Sequence, residues 1–254
     1  MSSERQNSLK ASALQAASAL REEQHLTLLS PVSIDQIIRD KNIQTLFRPM
    51  GEDSSGMAIR CQNTEGDVCR FMMINTDSAT GHQRFTACHE FYHLLYQEDF
   101  NCVSEQTARF STRDPEEFKA DWFASFLILP YGALQRLVPV EEQKKDAITL
   151  ATLLAVEQRF QCSRQTVLFR LKDLGWIGNE KYTEYSINVI RSASLYGYPA
   201  NLYKSTGTTS FIGDYNIKAR QLFDQGTISM AKYSDLLEAI GIDLTKEAIE
   251  DGEI

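Results

Sequence analysis

The run QRFTACHEFYHLLYQ, residues 83–97, constrains this chain more than any other segment. Phe85, Cys88, Tyr92 and Leu95 recur at three- and four-residue intervals, the period of an amphipathic helix. His89 and His93 share that spacing, so on a helix they stand one turn apart on one face and can present two neutral imidazoles to a single metal ion. Glu90, beside the first histidine, is too far round the helix to bind such an ion head-on. It can instead reach a water next to the ion and take its proton. The pattern His89-Glu90-Phe91-Tyr92-His93, in this helical setting, points to a metal-assisted hydrolytic site with Glu90 as general base.

A catalytic metal of this kind needs a third protein ligand and an open position. The chain has four histidines, at 25, 82, 89 and 93, so the longer pattern HExxHxxGxxH is excluded and the downstream candidates are carboxylates. PEEFKADWFASFLILP reads as the next long helix, over roughly 115–129, with Pro115 in its first turn and Pro130 as its stop. Glu116, Glu117 and Asp121 lie on it. Glu117 and Asp121 are four apart and share a face, so one carboxylate can ligate the metal while the other orients a ligand histidine through its second ring nitrogen. Glu117 is the expected third ligand and Asp121 the orienting group. Glu116 is expected to do no more than favour the positive end of the helix dipole. His25 and His82 are expected off the motif helix, as surface or loop histidines.

The rest of the chain reads as mostly helical. Residues 1–29 form a polar leader with an Ala-, Leu- and Glu-rich helix, and Ser33 is placed to cap a short helix carrying Ile34, Ile37 and Ile38. GMAIRCQ and DVCRFMMIN, within 56–75, are β-prone runs on either side of a turn and predict a hairpin or small antiparallel sheet. Residues 147–161 and 163–174 are helical patterns broken at Gln161-Cys162-Ser163, the spacing of a helix-turn-helix, with Arg164, Gln165, Arg170 and Lys172 expected on the exposed side of the second helix. A Gly-, Tyr- and Ser-rich stretch runs over 192–213, its part from 195 to 213 is expected to be irregular rather than a partner-binding loop, and helices are expected near 214–225 and 229–240. The fold class is therefore α+β and mostly helical, a small antiparallel sheet with a zincin-type helix followed by a helix-turn-helix-like unit and C-terminal helices. The expected divisions are a leader over 1–29, a metal-site domain over 30–135, the helix-turn-helix-like unit over 136–180 and a C-terminal region over 181–254.

Composition narrows the partners. A formal net charge of -8 leaves no general positive field for phosphate backbones, so nucleic-acid binding would have to rest on a local patch. No run approaches the roughly 20 apolar residues that span a bilayer and none has the layout of a signal peptide, so the chain is expected in the cytoplasm with no membrane partner. Five cysteines, at 61, 69, 88, 102 and 162, match no secreted framework. Cys61 and Cys69 could face each other across the hairpin, with reduced thiols as the expectation.

FMMINTDSATGHQRFTACHEFYHLLY, followed by EFKADWFASFLILP, resembles the ImmA/IrrE family of metallopeptidases, in which a strand and an Asn lead into an RFT-bearing HExxH helix and then an ExxA(N/D)xFA helix. The likeness is close over about residues 30–130 and looser through LLAVEQRFQCSRQTVLFRLKDLGWI and GDYNIKARQLFDQGTISMAKYSDLL. It implies a zinc-dependent endopeptidase with one Zn2+ held by His89, His93 and Glu117, and with Glu90 as base. It also implies a protein substrate, a helix-turn-helix transcriptional repressor, cut in response to stress or mobile-element signals so that its target genes are released. Phe91-Tyr92 replaces the family's usual small or Gly-containing pair and Asp121 stands where Asn is common, and neither change removes a ligand. The rival reading is a DNA-binding or protein-binding regulator with a vestigial or partner-activated zinc site, in which direct DNA binding is not favoured.

Overall fold

The hairpin expected over 56–75 forms, and a larger sheet is built around it. In the computed structural model, which describes residues 2–62, 66–98, 100, 103–105 and 114–244, β2 (Gly56–Gln62) and β3 (Val68–Asn75) pair antiparallel. β1 (Ile43–Arg48) lies parallel to β3, β5 (Ser210–Ile212) antiparallel to β1, and β4 (Val103–Glu105) antiparallel to β2. The order is β4-β2-β3-β1-β5. The sheet is thus mixed, where an antiparallel one was expected. The cause is topological: β2, which lies between β1 and β3 in sequence, turns back along the far edge of β3, so β3 returns in the direction of β1.

The period of two along each strand divides the sheet into two buried faces. Ala58, Met72 and Ile74 point into the main core, while Leu46, Phe71, Met73 and Phe211 point the other way. The second face is covered by the C-terminal helices α10 (Tyr215–Asp224) and α11 (Met230–Glu238) through Ala219, Tyr233 and Leu237. The Phe223 and Tyr233 rings stack at 5.0 Å between them.

On the first face lies α3 (Thr80–Leu95), then α4 (Pro115–Ile128), then the leader helix α1 (Ser3–Glu23). α4 starts where Asp114 accepts a hydrogen bond from the Glu116 N–H at 2.7 Å and Pro115 presets the first turn. It stops two residues before Pro130 because the residue preceding a proline is driven out of helical conformation. α1 buries Ala13, Ala17 and Leu20 against it. The buried Arg21 guanidinium donates to the carbonyls of Leu127, Thr27 and Ser30 at 2.6, 2.6 and 3.0 Å, which ties the leader to the end of α4. A short α2 (Ile34–Asp40) feeds β1, and α5 (Tyr131–Leu137) follows α4.

The helix-turn-helix-like pair is α6 (Leu150–Phe160) and α7 (Arg164–Asp173), with Gln161 left-handed at φ 53 and Ser163 capping α7 through the Thr166 N–H. Gln165 and Lys172 are exposed as expected, but Arg164 and Arg170 are buried. Arg164 forms an ion pair with the buried Glu157 of α6 and donates to the Tyr185 carbonyl and Ser192 Oγ at 2.8 and 3.1 Å. Arg170 donates to the Leu129 carbonyl at 3.2 Å and lies over the Phe126 ring at 4.5 Å. Two further helices, α8 (Asn179–Ser186) and α9 (Val189–Leu195), supply the Tyr185 and Ser192 partners of Arg164. The stretch expected to be irregular, 195–213, holds a 3-10 turn at Asn201–Tyr203 and β5. Among the described residues no helix is long and apolar enough to cross a membrane.

Candidate active site

α3 begins earlier than its apolar pattern indicates. A Cβ at Gly81 would meet the Ser163 nitrogen at 2.9 Å, so glycine is what lets the start of α3 rest on the α6–α7 turn. The helix includes His82, contrary to the expectation that this histidine lies off it. His82 stands two turns before His89 on the same face, half-buried, with Nε2 3.2 Å from Ser55 Oγ. His25 is exposed, as expected.

His89 and His93 converge with Glu117 across the α3–α4 contact. The His89 Nε2 and His93 Nε2 atoms are 3.0 Å apart, and the two Glu117 oxygens lie 3.1 Å from His89 Nε2 and 3.2 Å from His93 Nε2. Donors at adjacent corners of a zinc tetrahedron with bonds of about 2.0–2.1 Å are about 3.3 Å apart, so the three side chains fit one ion. They form the one such group of three among the described residues. His89, His93 and Glu117 are 1%, 2% and 7% exposed, and polar groups so withdrawn from water are costly unless protons or a cation compensate them.

The second nitrogen of each imidazole is held. His89 Nδ1–H donates to Asp121 Oδ1 at 3.0 Å, and His93 Nδ1–H donates to Gln97 Oε1 at 2.5 Å, which leaves both Nε2 lone pairs for a metal. The Phe100 ring stacks on His93 with centroids 5.5 Å apart. Glu116 sits outside the cluster, where it accepts from the Tyr92 hydroxyl at 2.8 Å and pairs with Lys119. In the metal-free chain, burial lowers the proton affinity of His89, but hydrogen bonds to Asp121 and Glu117 and the charges of Asp121 and Glu90 outweigh it and raise the pKa to about 10. A proton at His89 thus occupies the place a cation would take.

Glu90 is buried on the sheet side of α3. A Cβ at Gly56 would lie 2.6 Å from Thr86 Cγ2 and 3.0 Å from the Met73 carbonyl, so the bare glycine at the head of β2 is what lets β2 and α3 meet here, with Glu90 Oε1 in ordinary contact distance at 3.5 Å. Burial raises the Glu90 pKa and Glu117 adds to the effect, against the pull of His89 and His93. The shift moves Glu90 toward the basicity a proton acceptor near neutrality requires. Gln97, Phe100 and Gly56 were not found from the sequence. Gln97 did carry a signal, since it follows His93 by four residues as Asp121 follows Glu117 by four.

Fold and donor set together define a protein able to hold a buried metal ion beside a buried carboxylate. The model of a peptidase family, described as the IrrE N-terminal-like domain, matches residues 38–172, and the chain belongs to that family. The matched span carries β1 to β3, both helices of the site and most of α7. Among curated proteins no match to the chain was found.

Proposed function

We propose that this protein is a zinc-dependent endopeptidase that cuts a partner helix-turn-helix transcriptional repressor and so releases its target genes. The observation that carries the reading is the buried cluster of His89, His93 and Glu117 with Glu90 one residue from the first ligand, in a chain of a peptidase family. Zinc suits two imidazoles and one carboxylate, and when bound it supplies Lewis-acid polarisation of the scissile carbonyl and acidifies the attacking water. Asp121 and Gln97 hold the two imidazoles in the tautomer that points Nε2 inward. Glu90, dehydrated against Gly56, takes the proton of the attacking water and returns it to the departing amine.

The burial of Arg164 and Arg170 removes two of the four side chains on which a DNA-binding reading rests, and so supports recognition of a protein. The test is incubation with the product of a repressor gene encoded beside this one, with and without chelator. Chelator-sensitive cleavage supports the proposal, and an intact repressor under both conditions overturns it for that partner.

A further inference from the structure

The sheet face turned away from α3 carries a row of facing pairs from β2 and β3: Met57 opposite Met73, Ile59 opposite Phe71, and Cys61 opposite Cys69. The last pair lies at the open end of the row, with both cysteines exposed and unbridged. Directly opposed residues of an antiparallel pair have Cα atoms about 4.5–5.5 Å apart, inside the window of about 4.4–6.8 Å that a disulfide requires. The two side chains are close enough that Cys61 bears on the proton affinity of Cys69. The other described cysteines, Cys88 and Cys162, are buried in the core, where reagents from solution do not reach them.

We propose that Cys61 and Cys69 form a redox-active dithiol that reacts with low-molecular-weight disulfides and closes into a reversible cross-strand bond. A Cys61 thiolate attacks one sulfur of the external disulfide, forming a mixed disulfide and expelling one small thiol. Cys69 gives its proton to solvent and attacks Cys61 Sγ, so the Cys61–Cys69 bond forms as the second small thiol leaves. Two protein thiols are oxidised and one external disulfide is reduced to two thiols. Burial and the neighbouring Cys61 raise the Cys69 pKa, with Asp214 adding to them and Lys218 opposing, which makes Cys69 the poorer first attacker on an external disulfide and leaves it the second step. Asp214 and Lys218 sit at the start of α10, so the bond closes where the C-terminal layer meets the hairpin.

The test uses the full chain, metal-loaded and folded, treated with oxidised glutathione, then alkylated and mapped by mass spectrometry without reduction. Two of the five thiols should be lost together into one intrachain Cys61–Cys69 link that dithiothreitol reverses. Cys69→Ser should stop at a glutathione adduct on Cys61, and Cys61→Ser should lose the link. Stable adducts on both cysteines of the unaltered chain, a link to Cys102 instead, or two thiols that stay alkylatable while a small-molecule dithiol in the same tube is oxidised would each overturn the proposal. None of these readouts depends on peptidase activity.

Discussion

Replacing Gly56 by alanine places a methyl carbon 2.6 Å from Thr86 Cγ2, 3.0 Å from the Met73 carbonyl oxygen and 3.5 Å from Glu90 Oε1. Carbons prefer about 3.5–4.0 Å, so the first contact is short by about 1 Å and β2 and α3 must separate by a comparable amount. Overpacking of this kind costs about 1–3 kcal/mol of stability. The shift reaches the chemistry as well, because Glu90, His89 and His93 all ride on α3 while Glu117 stays on α4, and a misplacement of about 1 Å at a reacting group costs about 100-fold in rate. Metal affinity should fall in the same variant, since the two histidines move against Glu117. Urea denaturation, a competitive metal titration and the rate of cleavage of a quenched-fluorescent peptide or of the proposed repressor substrate measure the three quantities. Thr86→Ser removes the closest atom and should restore part of the loss in the double variant, with a coupling of about 0.5–3 kcal/mol. A Gly56→Ala chain with unchanged stability and rate would refute the claim that this glycine sets the contact between β2 and the helix that carries the site.

Asp121→Ala removes the acceptor 3.0 Å from His89 Nδ1 and should weaken metal binding about 10–100-fold in a competition titration, with Gln97→Ala acting in the same direction through His93. Unchanged affinity in both would show that the imidazoles orient themselves. In the chelator-treated chain the His89 pKa is raised from 6.5 to about 10, so its protonated form stabilises the fold below pH 6.5 and the contribution is lost as pH rises to about 10. The melting temperature of the metal-free chain should therefore fall over that range more than that of a His89→Gln chain, and a parallel fall in both would contradict the linkage. Arg164→Ala leaves the buried Glu157 without its cation and should cost about 3–5 kcal/mol in urea denaturation, most of it recovered by replacing Glu157 with an apolar residue as well.

What the sequence makes legible here is what local periodicity and end signals encode. The helix through His89 and His93, the helix from Pro115, the hairpin and the break at Gln161-Cys162-Ser163 all announce themselves within a dozen residues. The features that escaped depend on partners far away in the chain. β5 is three residues long and exists because Thr45 pairs with Ile212 across the sheet, which no window around 210 reveals. Gly81 looks like a turn residue until Ser163 is placed against it, and it lies in the first turn of the helix that takes in His82. Arg164 and Arg170 look like solvent-facing bases because Glu157, Tyr185, Ser192 and Leu129, which bury them, are assembled by tertiary packing. At the site itself Glu117 and Asp121 were legible from a four-residue spacing, whereas Phe100 and Gly56 act through contacts that only the folded chain creates.

The central claim, that the buried histidine and carboxylate cluster holds an ion for which Glu90 provides the base, rests on one comparison. Metal content by elemental analysis and cleavage of the proposed repressor substrate are measured side by side for the unaltered chain and for Glu90→Gln. The account predicts one ion per chain in both, with cleavage in the unaltered chain alone and a loss in the variant of at least about 100-fold. Cleavage by Glu90→Gln at the original rate, or equal metal content after His89, His93 and Glu117 are all replaced, would contradict it.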